Sequence, residues 1–188
     1  MLEGILVNLR AIERSDAAHV HRWRNDREVT YTLGRRYMMS LPYVESWVEQ
    51  FAATPGAFEN AHFTIETKDG RVLGDTGLFG VSAENREAYL GMMIGEKDCW
   101  SRGFGSDALR TLLWFAFNEM NLNRVALHVF DFNPRAIASY RKCGFVEEGR
   151  MRQAMYREGE FHDIVMMGVL REEYERLRDQ RDASVVAG

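Results

Sequence analysis

The chain passes from one regular pattern to another at Gly95-Glu96-Lys97-Asp98-Cys99-Trp100-Ser101-Arg102-Gly103-Phe104-Gly105-Ser106-Asp107-Ala108-Leu109. An apolar run ends at Gly95, a short turn carries Gly103 and Gly105, and a strongly patterned helix begins directly after it. Leu109, Leu112, Leu113, Ala116, Phe117 and Met120 recur at i, i+3, i+4, i+7, i+8 and i+11, one stripe of a helix. Glycines allow positive φ and let a ligand come close to the backbone. The first N–H groups of a helix lack intrahelical partners and sit at the positive end of its dipole, which suits a phosphate or pyrophosphate. Arg102 adds a charge-assisted contact. An ordinary strand-to-helix bend uses the same glycines, so the turn alone leaves both readings open. A nucleotide P-loop is excluded, because no Gly-Lys-Ser/Thr follows. A dinucleotide fingerprint is a poor match, because its third glycine is missing.

The pattern upstream is helical, then alternating. Leu6 to Ile12 reads as a strand, and Ser15-Asp16 caps a helix through His19, Val20 and Trp23. A second helix after Leu41-Pro42 places Val44, Trp47, Val48 and Phe51 on one face and ends at Thr54-Pro55-Gly56. His62 to Thr67, the turn Lys68-Asp69-Gly70-Arg71, and Val72 to Val81 form a hairpin. Ala88 to Gly95 is nearly all apolar and reads as a strand buried on both faces.

Downstream of the central helix, Val125 to Phe132 is another apolar strand. Asn133-Pro134 opens a short helix with Ala136, Ile137 and Tyr140 on one face, and Gly144 closes it in the left-handed role. Strand returns at Phe145, and Met151 to Arg157 with Phe161 to Leu170 makes a last hairpin about Glu158-Gly159-Glu160. A charged helix follows over 171–181, then a frayed tail over 182–188. The order is strand, two helices, antiparallel strands, helix, strand, helix and two strands. That is an α+β fold: a mixed, mostly antiparallel central sheet with flanking helices. No linker or repeat divides the chain, so residues 1–188 read as a single domain.

Composition bounds the function. The chain has 188 residues, 46% hydrophobic and 28% charged, with net charge −4. That length supports a core without disulfide staples. A net negative chain has no bulk attraction to phosphate backbones, so nucleic acid is not an expected partner. Cys99 and Cys143 lack both disulfide-framework and metal-ligand spacing, so no metal is expected and a reducing, cytoplasmic setting is. Leu112 to Phe117, the longest strongly apolar run, is too short for a membrane span, and Met1 to Ile5 has no signal-peptide pattern.

Four segments together resemble one family. Residues 94–109 resemble motif A of the GNAT acetyltransferases, Gln/Arg-x-x-Gly-x-Gly/Ala, which falls on Trp100-Ser101-Arg102-Gly103-Phe104-Gly105 with Trp100 in place of Gln or Arg. Asn133-Pro134-Arg135-Ala136-Ile137-Ala138-Ser139-Tyr140-Arg141-Lys142-Cys143-Gly144-Phe145 is similar to the family's Asn-x-x-Ala-x-x-x-Tyr-x-Lys-x-Gly-Phe segment and is the more specific match. Gly159 to Asp163 with Gly168 to Tyr174 is similar to the closing hairpin of the branch resembling ribosomal-protein N-terminal alanine acetyltransferases. Trp23-Arg24-Asn25-Asp26 with Val29 fits that branch's first helix. The matches span about Leu6 to Tyr174.

The resemblance implies transfer of acetyl from acetyl-CoA to an amine, and a central sheet with one splayed strand pair. It implies that Met93, Ile94 and Gly95 offer backbone groups to the pantetheine arm. Arg102, Gly103, Phe104, Gly105 and Ser106 would cradle the pyrophosphate. Asn133 would hydrogen-bond the cosubstrate, or simply cap its helix. Lys142, and Arg141 beside it, would meet the nucleotide phosphate. Tyr140, two helical turns after Asn133, would be the general acid for the departing thiolate.

The base is less well marked. Relatives in the branch carry an acidic residue where Tyr89 stands. Glu87 is taken first as the base, with His162 and a water relay behind it, and a base is dispensable for an amine that arrives neutral. His128 reads as a core histidine. Acceptors implied by the branch are protein N-termini, polyamines and other small amines. Trp23, Tyr31, Tyr37 and Trp47 either line the acceptor cleft or fill the core. A homodimer is allowed. A non-catalytic acyl-CoA-binding module and a general nucleotide-binding protein remain as alternatives.

Overall fold

The computed structural model describes residues 1–53 and 61–186. The expected helix end at Thr54-Pro55-Gly56 lies outside them. Eight strands form one sheet: β1 (Leu2–Glu3), β2 (Val7–Ala11), β3 (Ala61–Thr67), β4 (Val72–Ser82), β5 (Glu87–Ile94), β6 (Arg124–Phe130), β7 (Val146–Arg157) and β8 (Glu160–Leu170). Their spatial order is β1-β2-β3-β4-β5-β6-β8-β7. Every neighbouring pair is antiparallel except β5 and β6. This is the mixed, mostly antiparallel sheet with flanking helices that the sequence order implied.

Among the described residues six helices cover the sheet: α1 (Ala17–Asn25), α2 (Arg27–Tyr31), α3 (Leu41–Ala52), α4 (Phe104–Trp114), α5 (Pro134–Lys142) and α6 (Arg171–Val186). The apolar stripe of α4 does what its spacing implied. Leu109, Leu112, Leu113 and Ala116 are fully buried in the main core with Leu9, Ile65, Leu127 and Met167. The last turn of this helix widens into a π turn over Phe115–Glu119, where Met120 N–H donates to Phe115 O at 3.0 Å. Asp107, 2% exposed, accepts from the N–H groups of Leu6 (2.7 Å) and Val7 (3.1 Å) and pins α4 to the start of β2.

A second, smaller core joins α1, α2 and α3 to Met93 and is centred on Trp23. Ser40 caps α3, and Pro42 sits in its first turn. The short helix α2 was not separable in the sequence. Its signal is Asp26, whose carboxylate accepts from the N–H groups of Glu28 and Val29. Two expectations need correction. The C-terminal helix runs to Val186, past the tail boundary read at Arg181. Strand β5 is not buried on both faces: Tyr89 is 38% exposed, because one face looks into a cleft.

Candidate active site

The cleft exists because two strands part. β5 and β6 run parallel only over Glu87–Tyr89 and Arg124–Ala126. Beyond Tyr89, β5 stays with β4 to Ile94, while β6 stays with β8 to Phe130. The gap opens into a cavity of about 680 Å³ walled by β5, β6, α2, the turn before α4, and α5. Of the sequence-predicted residues, the structure brings Met93, Ile94, Gly103, Gly105, Ser106, Asn133, Tyr140 and Lys142 to its wall.

The ladder register decides which backbone groups face the gap. Gly95 N–H donates to Leu73 O at 2.8 Å, and Met93 stands opposite Asp75 in the same register. Alternate residues of an antiparallel ladder aim both polar groups at the same neighbour. Met93 and Gly95 therefore point at β4, and Met92 and Ile94 point into the gap. The Ile94 carbonyl is taken by Trp100 Nε1 at 2.8 Å, which leaves the Ile94 and Met92 N–H groups facing the cleft. Of the three residues read as offering backbone groups, only Ile94 turns its N–H to the cleft, with Met92 beside it, while Met93 and Gly95 face β4. Gly95 serves packing instead: a Cβ there would lie 2.1 Å from the Trp23 ring.

The turn before α4 is shaped by left-handed backbone. Gly103 has φ 90° and Ser101 φ 60°, which turn the chain so that the first N–H groups of α4 face the cavity. Ser106 Oγ meets Ser139 Oγ at 2.8 Å, so the start of α4 is tied to α5. Arg102 and Phe104 are not among the residues lining the cavity; Phe104 packs against the main core and Arg102 lies over its ring. Arg102 is exposed and reaches Asp98 O at 3.5 Å. Arg135 lies 3.9 Å from the centre of the Trp100 ring. That pair gives Trp100 a place at a site where relatives carry Gln or Arg. Lys142 is exposed at the cavity edge, whereas Arg141 turns to Glu147 at 3.2 Å.

On α5, Asn133 caps the helix, accepting from Ala136 N–H at 3.2 Å, and also lines the cavity. Tyr140 lies on the cavity wall and packs on Phe145 at 5.7 Å. Burial, with a smaller contribution from Cys143, pushes its phenol up to about 12. The group is protonated at neutral pH and able to donate.

The carboxylate candidate fares differently. Glu87 sits where β5 and β6 are still paired, its carboxylate 3.3 Å from Arg124 and outside the cavity wall. A group held by an arginine away from the cleft is misplaced for a base. His162 also lies elsewhere, 3.5 Å from Asp131 and against the Phe132 ring. His128 is exposed, not core, and lines the cavity edge-on to Tyr89 at 5.6 Å. The apolar neighbours of His128 hid this. The signal was parity: Leu127 and Val129 are buried, so His128 faces the other way. Trp23 is core and Tyr31 packs on Phe132, while Tyr37 lines a second cleft between α1–α2 and the β7–β8 hairpin.

Residues 7–146 match the family model described as an acetyltransferase (GNAT) domain. The chain belongs to the GNAT acetyltransferase family. Among relatives, the spermidine N(1)-acetyltransferase of Vibrio cholerae is 29% identical over 171 residues, covering 89% of this chain and 95% of that protein. The putative ribosomal N-acetyltransferase YdaF of Bacillus subtilis is 32% identical over 132 residues, 70% of this chain and 69% of that protein. The crystal structure of the Vibrio cholerae spermidine N-acetyltransferase with CoA and spermine superposes with a TM-score of 0.81 at 26% identity, covering 90% of this chain and 98% of that one. This GNAT acetyltransferase uses acetyl-CoA and transfers the acetyl group to an amine, so the reading as a non-catalytic module gives way. Its parted strands, N–H-lined turn and lysine-edged cleft fit a cosubstrate with a long amide-bearing arm and a pyrophosphate. No helix among the described residues is long and apolar enough to cross a membrane.

Proposed function

We propose that this enzyme acetylates a primary amine by direct attack, with the acceptor entering from the α1–α2 and β7–β8 side. The parting of β5 from β6, with the Met92 and Ile94 N–H groups facing the gap and Tyr140 on its wall, is the observation that carries this reading. Acetyl-CoA supplies the acetyl group as a thioester. The N–H groups of Met92 and Ile94 hold the arm, and one of them steadies the negative charge that develops on the carbonyl oxygen. The first turn of α4, Gly103 to Ser106, receives the pyrophosphate, with Lys142 and Arg135 at its edge. Asn133 orients the arm while capping α5.

The proton account closes on two side chains. An ammonium has a pKa near ~10 and must lose a proton before its nitrogen attacks. His128, among the described residues the one imidazole on the wall and with no carboxylate lining the wall, takes that proton directly or through water. As the N–C bond forms and the C–S bond breaks, Tyr140 gives its phenolic proton to the sulfur. The new amide nitrogen still carries one proton too many and gives it up through water to restore the Tyr140 phenol, while His128 releases its proton to solvent. The net products are the amide, a thiol and one proton.

Relatives point to two acceptor classes, spermidine in one name and ribosomal protein in another. The ribosomal N-terminal branch and the polyamine branch both suit a primary amine. The test is thiol release from acetyl-CoA across an amine panel holding spermidine, short diamines, amino acids and peptide N-termini. Turnover of at least one amine above the hydrolysis rate is expected. Cosubstrate binding with no thiol release from any of them overturns the reading.

A further inference from the structure

The second cleft, about 390 Å³, is bounded by α1, α2, residues 35–38 and the end of β7. Arg24, Arg27, Arg35, Arg36 and Arg157 line it, with Glu158 as the one acid on its wall. Arg27 is neutralised by Glu158 at 2.6 Å. Arg35, Arg36 and Arg157 have no carboxylate partner among the described residues. Arg157 is 8% exposed and fixed in place: it donates to Arg35 O at 2.8 Å and Thr30 O at 3.4 Å, and lies over the Tyr31 ring.

Arg24 is the informative residue. It is 8% exposed, and its Nε has no hydrogen-bond acceptor. Its nearest carboxylate oxygen, on Asp75, is 3.7 Å away, beyond hydrogen-bond reach. The Trp47 ring covers one face at 4.3 Å. A guanidinium carries five N–H donors in a planar fork, and leaving them unmade in a buried site is costly. A carboxylate satisfies two of them at once. Burial pulls Arg24 below its ordinary value; its ion pair with Asp75 opposes this and Arg35 adds to it.

We propose that this cleft binds a carboxylate carried by the acceptor, so that the substrates are amines bearing an anionic group rather than polycations. The inference rests on the amine-transfer reading above and names the substrate class of that site. The same arginines disfavour an ammonium near them, which lowers the acceptor's pKa and enlarges its reactive neutral fraction. One surface thus holds the anion and eases the proton step that this site serves with an imidazole and no carboxylate. A free amino acid and an acidic peptide N-terminus both offer an amine with a carboxylate, and the arms below tell them apart.

The experiment compares kcat/KM for matched pairs: lysine against cadaverine, and alanyl-glutamate against alanyl-glutamine, with spermidine alongside. At least a tenfold preference for the carboxylate-rich member is expected in the pair that is turned over. Arg35→Glu, on an exposed residue, should erase it, and Arg24→Gln should do the same. Preference for the neutral or dicationic partner, or a preference untouched by both variants, overturns the proposal. If no amine is turned over, the amine-transfer reading fails by itself. The cleft is then judged by titrating glutarate into the CoA-loaded protein. Saturable binding lost in Arg35→Glu upholds the anion site, and no binding overturns it.

Discussion

Ser106 and Ser139 share a hydrogen bond, their hydroxyl oxygens 2.8 Å apart, and this bond joins the cavity-lining first turn of α4 to the helix that carries Tyr140. Cys143 Sγ reaches Ser106 O at 3.7 Å on the same seam. Two elements far apart in sequence are thereby held at one spacing across the cosubstrate cleft. Ser139→Ala removes a neutral bond worth about 1 kcal/mol, so KM for acetyl-CoA should rise about fivefold. Steady-state kinetics at saturating amine should show kcat little changed. A proportional fall in kcat would mean that the seam positions Tyr140 as well.

Tyr140→Phe keeps the ring that packs on Phe145 and deletes only the proton. Turnover should fall about 100-fold or more, the usual worth of a positioned acid, while CoA still binds. Kinetics paired with a CoA titration checks this, and normal turnover rejects the assignment. The pH behaviour follows from burial, which raises the phenol to about 12 from its ordinary 10.0. A raised value means the folded state holds the proton more tightly than the unfolded chain. That stabilisation is complete below about pH 10 and is lost as pH rises through about 12. Tyr140→Phe should therefore blunt the alkaline loss of stability in a Tm-against-pH series.

His128→Gln and Glu87→Gln separate the two base assignments. His128 is on the cavity wall and Glu87 is held by Arg124 outside it. His128→Gln should lower kcat/KM about 100-fold. Glu87→Gln should leave the rate near wild type and cost only the modest worth of a half-exposed ion pair, up to about 1 kcal/mol in stability. The reverse pattern would restore Glu87.

Acid stability rests in part on Asp16, which is 2% exposed. Burial pushes its carboxyl up, but Arg10 at 2.8 Å, the Glu13 N–H and the Thr64 hydroxyl outweigh it and hold it below the ordinary value. A depressed carboxyl stabilises the fold above the unfolded pKa, about 3.9, and that contribution is lost as pH falls through the folded value. Asp16→Asn should lower Tm at neutral pH and flatten its fall below about pH 4. An unchanged acid limb would show that other carboxylates carry it.

The fold was legible wherever local pattern and tertiary role agreed. The stripe from Leu109 to Met120, the cap at Asn133 and the left-handed Gly144, φ 99°, each need only neighbours in sequence. What stayed hidden was set by pairing between distant strands. Whether Met92 or Met93 turns its amide to the cleft depends on the register of β5 against β4, which no local pattern encodes. His128 looked like core because its strand is apolar, and only the parting of β6 from β5 frees its face. Glu87 was a reasonable base by proximity, yet Arg124, its neighbour across the parallel pair, claims it. The arginine cleft gathers residues 24, 27, 35, 36 and 157, which no window along the chain brings together.

Trp23 and Gly95 give the sharpest test of packing. Trp23 is 1% exposed, and Glu96 fixes its ring by accepting from the indole N–H at 2.8 Å. A methyl group on Gly95 would sit 2.1 Å from that ring, with Gly95 N–H already bound to Leu73 O. Gly95→Ala should therefore cost about 3 kcal/mol, the upper range for overpacking a core, and lower Tm by about 6 to 12 °C in a chain of this size. Trp23→Leu alone should cost a similar amount by leaving a cavity. The two changes occupy the same space, so the double variant should be at least about 1 kcal/mol more stable than additivity implies. Strict additivity in denaturant melts would mean that Gly95 is required by something other than the Trp23 ring.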